Sequence, residues 1–186
     1  MDSHELSSPS ASTELRSPAD KMSGQNTCFF YGTLMAPEVF YSVLYGVRIP
    51  PKAIRDLHTF TPAILNDHCR HRIRYRDYPA VVPETGYTVR GVYATGLTDD
   101  HILKLDRFEG SEYMRVATKV DLMHKVEGRE VVREIKDTTV YIFLRHKELD
   151  RRSWDFDDFR INKMPMWTRG GLGFGDESRN NSFRND

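Results

Sequence analysis

The sequence predicts an α+β domain built on a small β-barrel. Three observations support this fold class: many short segments have the composition of antiparallel strands, only a few have helical periodicity, and no internal repeat divides the chain. The predicted strands are TCFFY (27–31), PAILND (62–67), PAVVP (79–83), YTVRGVYAT (87–95), residues 114–122 and TTVYIFL (138–144).

Turn and spacing signals add detail to these strands. The segment EGR at 127–129 predicts the turn of a hairpin, and Gly91 inside YTVRGVYAT predicts a bulge or a close approach of the backbone. Alternation over 114–122 places Val120 and Leu122 on the core face and leaves Tyr113 and Arg115 on the opposite face.

Composition limits the possible partners. The chain has 186 residues, 39% of them hydrophobic, which is enough for one medium-sized domain. Its 27 basic and 27 acidic residues give no net charge, which argues against nucleic acid or an anionic membrane as the main partner. No apolar run approaches the ~18–20 residues of a membrane helix, and the N-terminus lacks a signal-peptide core. We therefore expect a cytoplasmic protein; the oligomeric state stays open.

The two cysteines, Cys28 and Cys69, predict reduced thiols, because they form no disulfide framework and no CxxC pairing that would indicate zinc. Residues 1–26 are rich in serine and poor in aliphatic residues, so we expect a disordered leader. The glycine-rich and then polar segment at 167–186 predicts a flexible tail. The folded domain is thus expected over 27–166.

The stretch CFFYGTLMA (28–36) ends a hydrophobic strand abruptly on Gly32. Pro37 then favours the start of a helix, which Gly46 would end. Either the segment between them is a plain turn, or it displays backbone amides at the end of a strand.

A second helix is predicted over 99–108. Thr98 is a good N-cap, Ile102, Leu105 and Phe108 form the buried stripe with Leu103 beside them, and Gly110 suits the residue after the helix. Glu109 then lies at the carboxyl end, where the helix dipole disfavours a carboxylate by ~0.3–1 kcal/mol. Burial beside Phe108 would raise its pKa further, as a general base near neutral pH requires. A solvated surface glutamate is the alternative.

Five segments, in this order, resemble the γ-glutamylcyclotransferase-like family, and in particular its avirulence-induced group of plant and fungal proteins. They are YGTLMAPEVF (31–40), YPAVVP (78–83), VRGVYATGL (89–97), LDRFEGSEYMR (105–115) and WDFDDFRINKM (154–164). The resemblance covers about residues 28–164 and implies a small mixed β-barrel with short flanking helices and a cavity at its mouth.

The resemblance also implies an activity and a site. The family converts a γ-glutamyl amide or γ-glutamyl amino acid into 5-oxoproline and a free amine, with no metal and no cofactor. Its catalytic acid/base corresponds to Glu109, and Tyr113 matches a segment that can line the pocket. The loop that holds the substrate's α-amino and α-carboxylate groups corresponds to Tyr31, Gly32, Thr33, Leu34, Met35 and Ala36.

Other interpretations stay open. A binding module that keeps the same pocket without catalysis is the main alternative, and hydrolysis by water would yield glutamate instead of 5-oxoproline. The basic run HCRHRIRYRDY (68–78) would place Arg70, Arg72, Arg74 and Arg76 on one strand face. A solvated face is the simplest interpretation of this run, although one arginine could reach the mouth of the cavity.

Overall fold

The computed structural model describes residues 25–165 of the chain. The disordered leader predicted for 1–26 falls almost wholly outside these residues, and the tail predicted for 167–186 lies entirely outside them. The strands are β1 (Asn26–Phe30), β2 (Phe60–Ile73), β3 (Pro79–Leu97), β4 (Tyr113–Val126), β5 (Arg129–Phe143) and β6 (Leu149–Asp150). The α-helices are α1 (Pro37–Tyr45), α2 (Lys52–Arg55), α3 (Asp99–Glu109) and α4 (Phe156–Asp158), and a π-helical turn (Phe159–Lys163) follows α4.

The strands close into a ring. Neighbours pair in the order β3-β1-β5-β4-β2, and β2 pairs with β3 again to complete the circle, while β6 extends the sheet from β2. The β1–β5 pair is parallel and the other pairs are antiparallel. The predicted mixed barrel with short flanking helices is therefore confirmed.

Two strands are much longer than the sequence predicted. PAILND is part of the 14-residue β2, and PAVVP and YTVRGVYAT are joined in the 19-residue β3. The two strands form one long hairpin whose register shifts between Asn66 and His68. At that irregularity Asp67 has a positive φ of 54° and accepts a hydrogen bond from the Gly86 amide at 2.9 Å. The prolines at which PAILND and PAVVP were predicted to begin or end are Pro62, Pro79 and Pro83, and all three lie within this hairpin.

Gly91 marks a close approach of two strands and not a bulge. The β2–β3 register runs unbroken through Gly91. A Cβ at this position would lie 2.2 Å from the carbonyl oxygen of Phe30 and 2.6 Å from Cζ of Phe29. Only glycine fits, because a real Cβ cannot come so near a backbone oxygen.

The two longer helices begin and end close to the predicted positions. Helix α1 runs from Pro37 to a left-handed Gly46 with φ 72°. Helix α3 is capped by the Thr98 side chain, which accepts from the amide of His101, while the His101 ring accepts from the amide of Thr98. The prediction for Leu103 was wrong, because this side chain is 57% exposed.

The hydrophobic core has two main parts. One fills the barrel and includes Phe29, Tyr31, Leu65, Val81, Val120 and Val140. The other lies between the barrel and the helices and includes Phe40, Leu44, Leu105, Trp154 and Phe159. Trp154 and Phe159, which follow Asp150 in the chain, therefore cover the barrel. None of the helices within 25–165 is both long and apolar enough to cross a membrane.

Candidate active site

Glu109 is the last residue of α3, and the chain turns away immediately after it. Gly110 takes a positive φ of 66° and begins a short 3-10 turn that leads into β4. Glu109 is thereby fixed at the negative end of the helix dipole, where a carboxylate is disfavoured. The placement predicted from the sequence is correct, while the chemical role of Glu109 stays a prediction.

The pKa of Glu109 is raised from 4.5 to about 8. The main cause is burial, which penalises the charged carboxylate, and the nearby negative charge of Asp106 is the second cause. The residue keeps part of its surface in contact with solvent. A carboxyl group with this pKa is present in both protonation states near neutral pH, whereas an ordinary surface glutamate is almost fully ionised there.

Two buried tyrosines lie near enough to Glu109 to feel its charge. Burial raises the pKa of Tyr31, and the charge of Glu109 is the next cause of that rise. Burial also raises the pKa of Tyr113, with smaller contributions from Tyr31 and Glu109. These three side chains are therefore within electrostatic reach of one another. Among residues 25–165, no hydrogen bond or ion pair is formed by the carboxylate of Glu109.

Asp106 belongs to a small polar network beside Glu109. It accepts from the hydroxyl of Tyr141 at 2.7 Å and from Nε of Arg115 at 2.9 Å. Burial opposes ionisation of Asp106, but the bonds from Arg115 and Tyr141 more than compensate and lower its pKa. Asp106 is therefore a charged neighbour of Glu109. Sequence reasoning missed it, although a spacing of three residues on a helix places two side chains on the same face.

The Tyr31–Ala36 segment forms a 3-10 turn over Thr33–Met35 between β1 and α1. The amide of Met35 donates to the Gly32 carbonyl at 3.0 Å, and the amide of Ala36 donates to the Thr33 carbonyl at 3.1 Å. The amides of Gly32, Thr33 and Leu34 donate to no acceptor within the described part of the chain. Met35 and Ala36 therefore use their amides within the turn, whereas Gly32, Thr33 and Leu34 do not.

Gly32 is required for packing. Its φ of −122° is open to any residue, but a Cβ there would lie 2.9 Å from Cγ of Pro79. Arg70 fixes the same loop from the other side, since its Nη1 donates to the carbonyl oxygen of Tyr31 at 2.8 Å. The hydroxyl of Tyr31 points into the barrel and donates to the Tyr141 carbonyl at 2.6 Å. The loop thus presents its backbone, while the Tyr31 side chain belongs to the core.

Tyr113 lies near both the loop and Glu109. Its hydroxyl donates at 2.9 Å to the carbonyl oxygen of Pro79, the residue that packs on Gly32. Its ring packs against Phe143 with the ring centroids 5.2 Å apart. Of the two residues predicted on the non-core face of this strand, Tyr113 is turned inward, and Arg115 is held by Asp106 at the surface.

The basic run differs from its prediction. Strand β2 ends at Ile73, so Arg74 and Arg76 lie in the following turn, where Tyr75 has a positive φ of 62°. The prediction of four arginines on one strand face was therefore wrong.

Arg70 is partly buried, and its guanidinium lies 5.4 Å from the centre of the Trp154 ring. Trp154 forms one wall of a cavity of about 290 Å³ that charged side chains of both signs also line, among them Arg72, Asp77 and Lys163. Arg70 therefore connects the Tyr31–Ala36 loop to the region beside this cavity.

Solved structures of other proteins share this fold. A solution structure of At5g39720.1 from Arabidopsis thaliana superimposes with a TM-score of 0.53 at 25% identity, covering 78% of this chain and 87% of that one. A second, of At3g28950.1 from the same plant, has a TM-score of 0.52 at 23% identity and covers 87% and 95%. The chain therefore shares the fold of these two plant proteins.

Sequence similarity defines the family more closely. The family model described as gamma-glutamyl cyclotransferase, AIG2-like, matches residues 28–160. AIG2-like protein C of Arabidopsis thaliana is 32% identical over 133 residues, which is 71% of this chain and 67% of that protein. AIG2-like protein D of the same plant is 33% identical over 136 residues, covering 73% and 79%. The chain therefore belongs to the AIG2-like γ-glutamyl cyclotransferase family.

We expect Gly32→Ala to displace the loop from Pro79, because the added Cβ would need the proline ring or the loop backbone to move. Overpacking of this kind costs roughly 1–3 kcal/mol. Denaturant unfolding should show that loss, and amide NMR shifts should change at Thr33 and Leu34.

Gly46→Ala is the control for this loop prediction. A Cβ added at Gly46 would meet nothing within 4 Å, although the left-handed backbone there makes any side chain unfavourable. This variant should therefore lose stability without changing the amide shifts of Thr33 and Leu34. If those shifts also stayed unchanged in Gly32→Ala, the loop packing described here would be wrong.

Proposed function

We propose that this protein is a γ-glutamyl cyclotransferase that releases 5-oxoproline and a free amine from a γ-glutamyl amide or γ-glutamyl amino acid. One observation carries the proposal: an unpaired glutamate with a pKa of about 8 lies near a loop that has free backbone amides. Family membership supports the same reaction class.

The reaction needs few chemical groups, because nucleophile and electrophile belong to one molecule. The α-amine of the substrate attacks its own γ-carbonyl carbon, a carbon–nitrogen bond closes the lactam ring, and the bond to the leaving amine breaks. The protein has mainly to hold the substrate in the folded shape that permits attack. In this proposal Glu109 takes a proton from the attacking nitrogen and returns one to the leaving nitrogen, so no net proton is consumed.

In this proposal the Tyr31–Ala36 loop binds the negatively charged end of the substrate. The amides of Gly32, Thr33 and Leu34 are successive donors without protein acceptors in the described part of the chain, an arrangement that suits a carboxylate or a developing oxyanion. Pro79 and Arg70 hold the loop in place from two sides. We therefore assign the substrate's α-carboxylate to these amides, and we assign to Tyr113 the closing of the pocket between the loop and Glu109.

The raised pKa suits proton exchange with an amine. An α-ammonium group titrates near ~8, in the same range as Glu109. A proton therefore moves between the two groups with little free-energy cost in either direction. A carboxylate with an ordinary pKa near 4.5 would be too weak a base to take this proton.

We expect Glu109→Gln to abolish 5-oxoproline formation while the protein stays folded. The amide side chain has a similar shape but cannot accept the proton, and loss of a general base typically costs ~10²–10⁴-fold in rate. The measurement is 5-oxoproline release from a panel of γ-glutamyl amides and γ-glutamyl amino acids. Glu38→Gln, a change in the first turn of α1, is the matched control and should keep full activity.

The same panel of γ-glutamyl compounds distinguishes the cyclotransferase from a binding module and from a hydrolase. Binding of a γ-glutamyl compound without turnover in the wild-type protein would indicate a binding module. Release of glutamate in place of 5-oxoproline would indicate hydrolysis. Equal activity of Glu109→Gln and wild type would contradict the assigned role of Glu109.

We expect the rate–pH profile of Asp106→Asn to shift to lower pH. The negative charge of Asp106 helps to raise the pKa of Glu109, so removing it lowers that pKa and ionises the base at lower pH. In the wild type, kcat/KM should rise with pH up to about 8. The exposed Asp100 lies at the other end of α3, and Asp100→Asn is the control. An unchanged profile in Asp106→Asn would show that this charge does not tune Glu109.

A further inference from the structure

A second group of reactive side chains lies where the β2–β3 hairpin changes register. Cys69 and His71 are two residues apart on β2 and so point to the same face, opposite to Arg70. On β3 the partners of Cys69 and His71 are Val82 and Ala80, and Glu84 follows Val82 on this same face. One potential ligand atom from each of Cys69, His71 and Glu84 lies within 4.8 Å of the other two.

The shift in register explains why Glu84 is here. His68 pairs with Pro83, whereas Asn66 pairs with Thr88, so residues 84–87 form a loop of β3 opposite the single residue Asp67 of β2. The bond from the Gly86 amide to Asp67 closes that loop at 2.9 Å. Glu84, at its start, therefore points back toward the β2 side chains, and its Oε2 lies 3.2 Å from Nε2 of His71.

His71 is held firmly within this group. The residue is only 8% exposed. Its Nε2 faces Glu84, so Nε2 is the nitrogen that would bind an ion between these side chains. Its Nδ1 is buried without a hydrogen-bond partner among the described residues, and an ion bound at Nε2 would leave it so.

We propose that Cys69, His71 and Glu84 bind a divalent transition-metal ion, Zn²⁺ in particular, with water as the fourth ligand. Zinc accepts this mixture of sulfur, nitrogen and oxygen ligands. Tetrahedral zinc with bonds of ~2.0–2.3 Å has ligand atoms ~3.3–3.7 Å apart. The 3.2 Å between His71 and Glu84 already matches such an edge, and the remaining separations of at most 4.8 Å need a small contraction.

Zinc binding would replace the thiol proton: Cys69–SH and Zn²⁺ give a zinc thiolate and one released proton. Burial, and next the charge of Glu84, raise the pKa of the Cys69 thiol, so the thiol keeps its proton unless a cation replaces it. The same fact argues against Cys69 as a free nucleophile. Affinity for zinc should therefore increase with pH. The ion would tie the register-shifted ends of β2 and β3 together.

The test is a titration of the tag-free, full-length protein with Zn²⁺ against a chromophoric chelator, followed by Co²⁺ substitution to detect a thiolate charge-transfer band. We expect one bound equivalent and that band. Cys69→Ser and His71→Gln should each weaken binding by about 10-fold or more. The exposed His146 lies outside the cluster, and His146→Gln should bind as the wild type does.

Folding of each variant is checked by circular dichroism before the titration. If buried His71→Gln fails to fold, the partly exposed Glu84→Gln replaces it, with the same expected weakening. Three outcomes would overturn the proposal: no stoichiometric uptake, undiminished binding in Cys69→Ser, or a thiolate band that persists in Cys69→Ser and so arises elsewhere. The readout does not depend on cyclotransferase activity, so it stands apart from the function proposed for Glu109.

Discussion

The burial of the Glu109 carboxyl group is the constraint on which the candidate site depends. Glu109 ends a helix whose dipole disfavours its charge, and the neighbouring carboxylate of Asp106 disfavours it further. Proteins usually avoid burying such a group or pair it with an opposite charge. Here it stays unpaired among residues 25–165, and its pKa rises to about 8. The capped start of α3 at Thr98 and the turn at Gly110 hold it there, so the fold maintains a buried carboxyl group whose charge costs stability.

The loop after β1 is the second part of the candidate site, and it comes from a distant part of the sequence. Its strand ends early, and the 3-10 turn uses only the amides of Met35 and Ala36. Pro79 connects the parts, because it packs on Gly32 and accepts from Tyr113. Gly32 is therefore required because the loop and Pro79 of β3 leave no room for a Cβ. The contacts of Pro79 with Gly32 and Tyr113 thus link the loop to the region of Glu109.

Features set by neighbouring residues could be predicted from the sequence, whereas contacts between residues far apart in the chain could not. Thr98 and Gly110 defined the ends of α3 through capping, so the position of Glu109 followed from neighbouring residues. Prolines suggested strand ends within β2 and β3 because a proline cannot donate to a ladder, yet the hairpin accommodates them. The Cys69–His71–Glu84 cluster needs a register shift between two strands, and no spacing along the chain predicts that. The contact of Arg70 with Tyr31 is non-local in the same way.

The proposed chemistry depends on the protonation of one carboxyl group, and that can be measured directly. Carbon-13 NMR of protein labelled at glutamate side-chain carboxyls, assigned with Glu109→Gln, would follow the ionisation of Glu109 as pH is raised. We predict a midpoint of about 8 for this resonance. A midpoint close to the ordinary value of 4.5 would contradict the proposed role, since Glu109 would then be a solvated carboxylate without the basicity that the proton transfer requires.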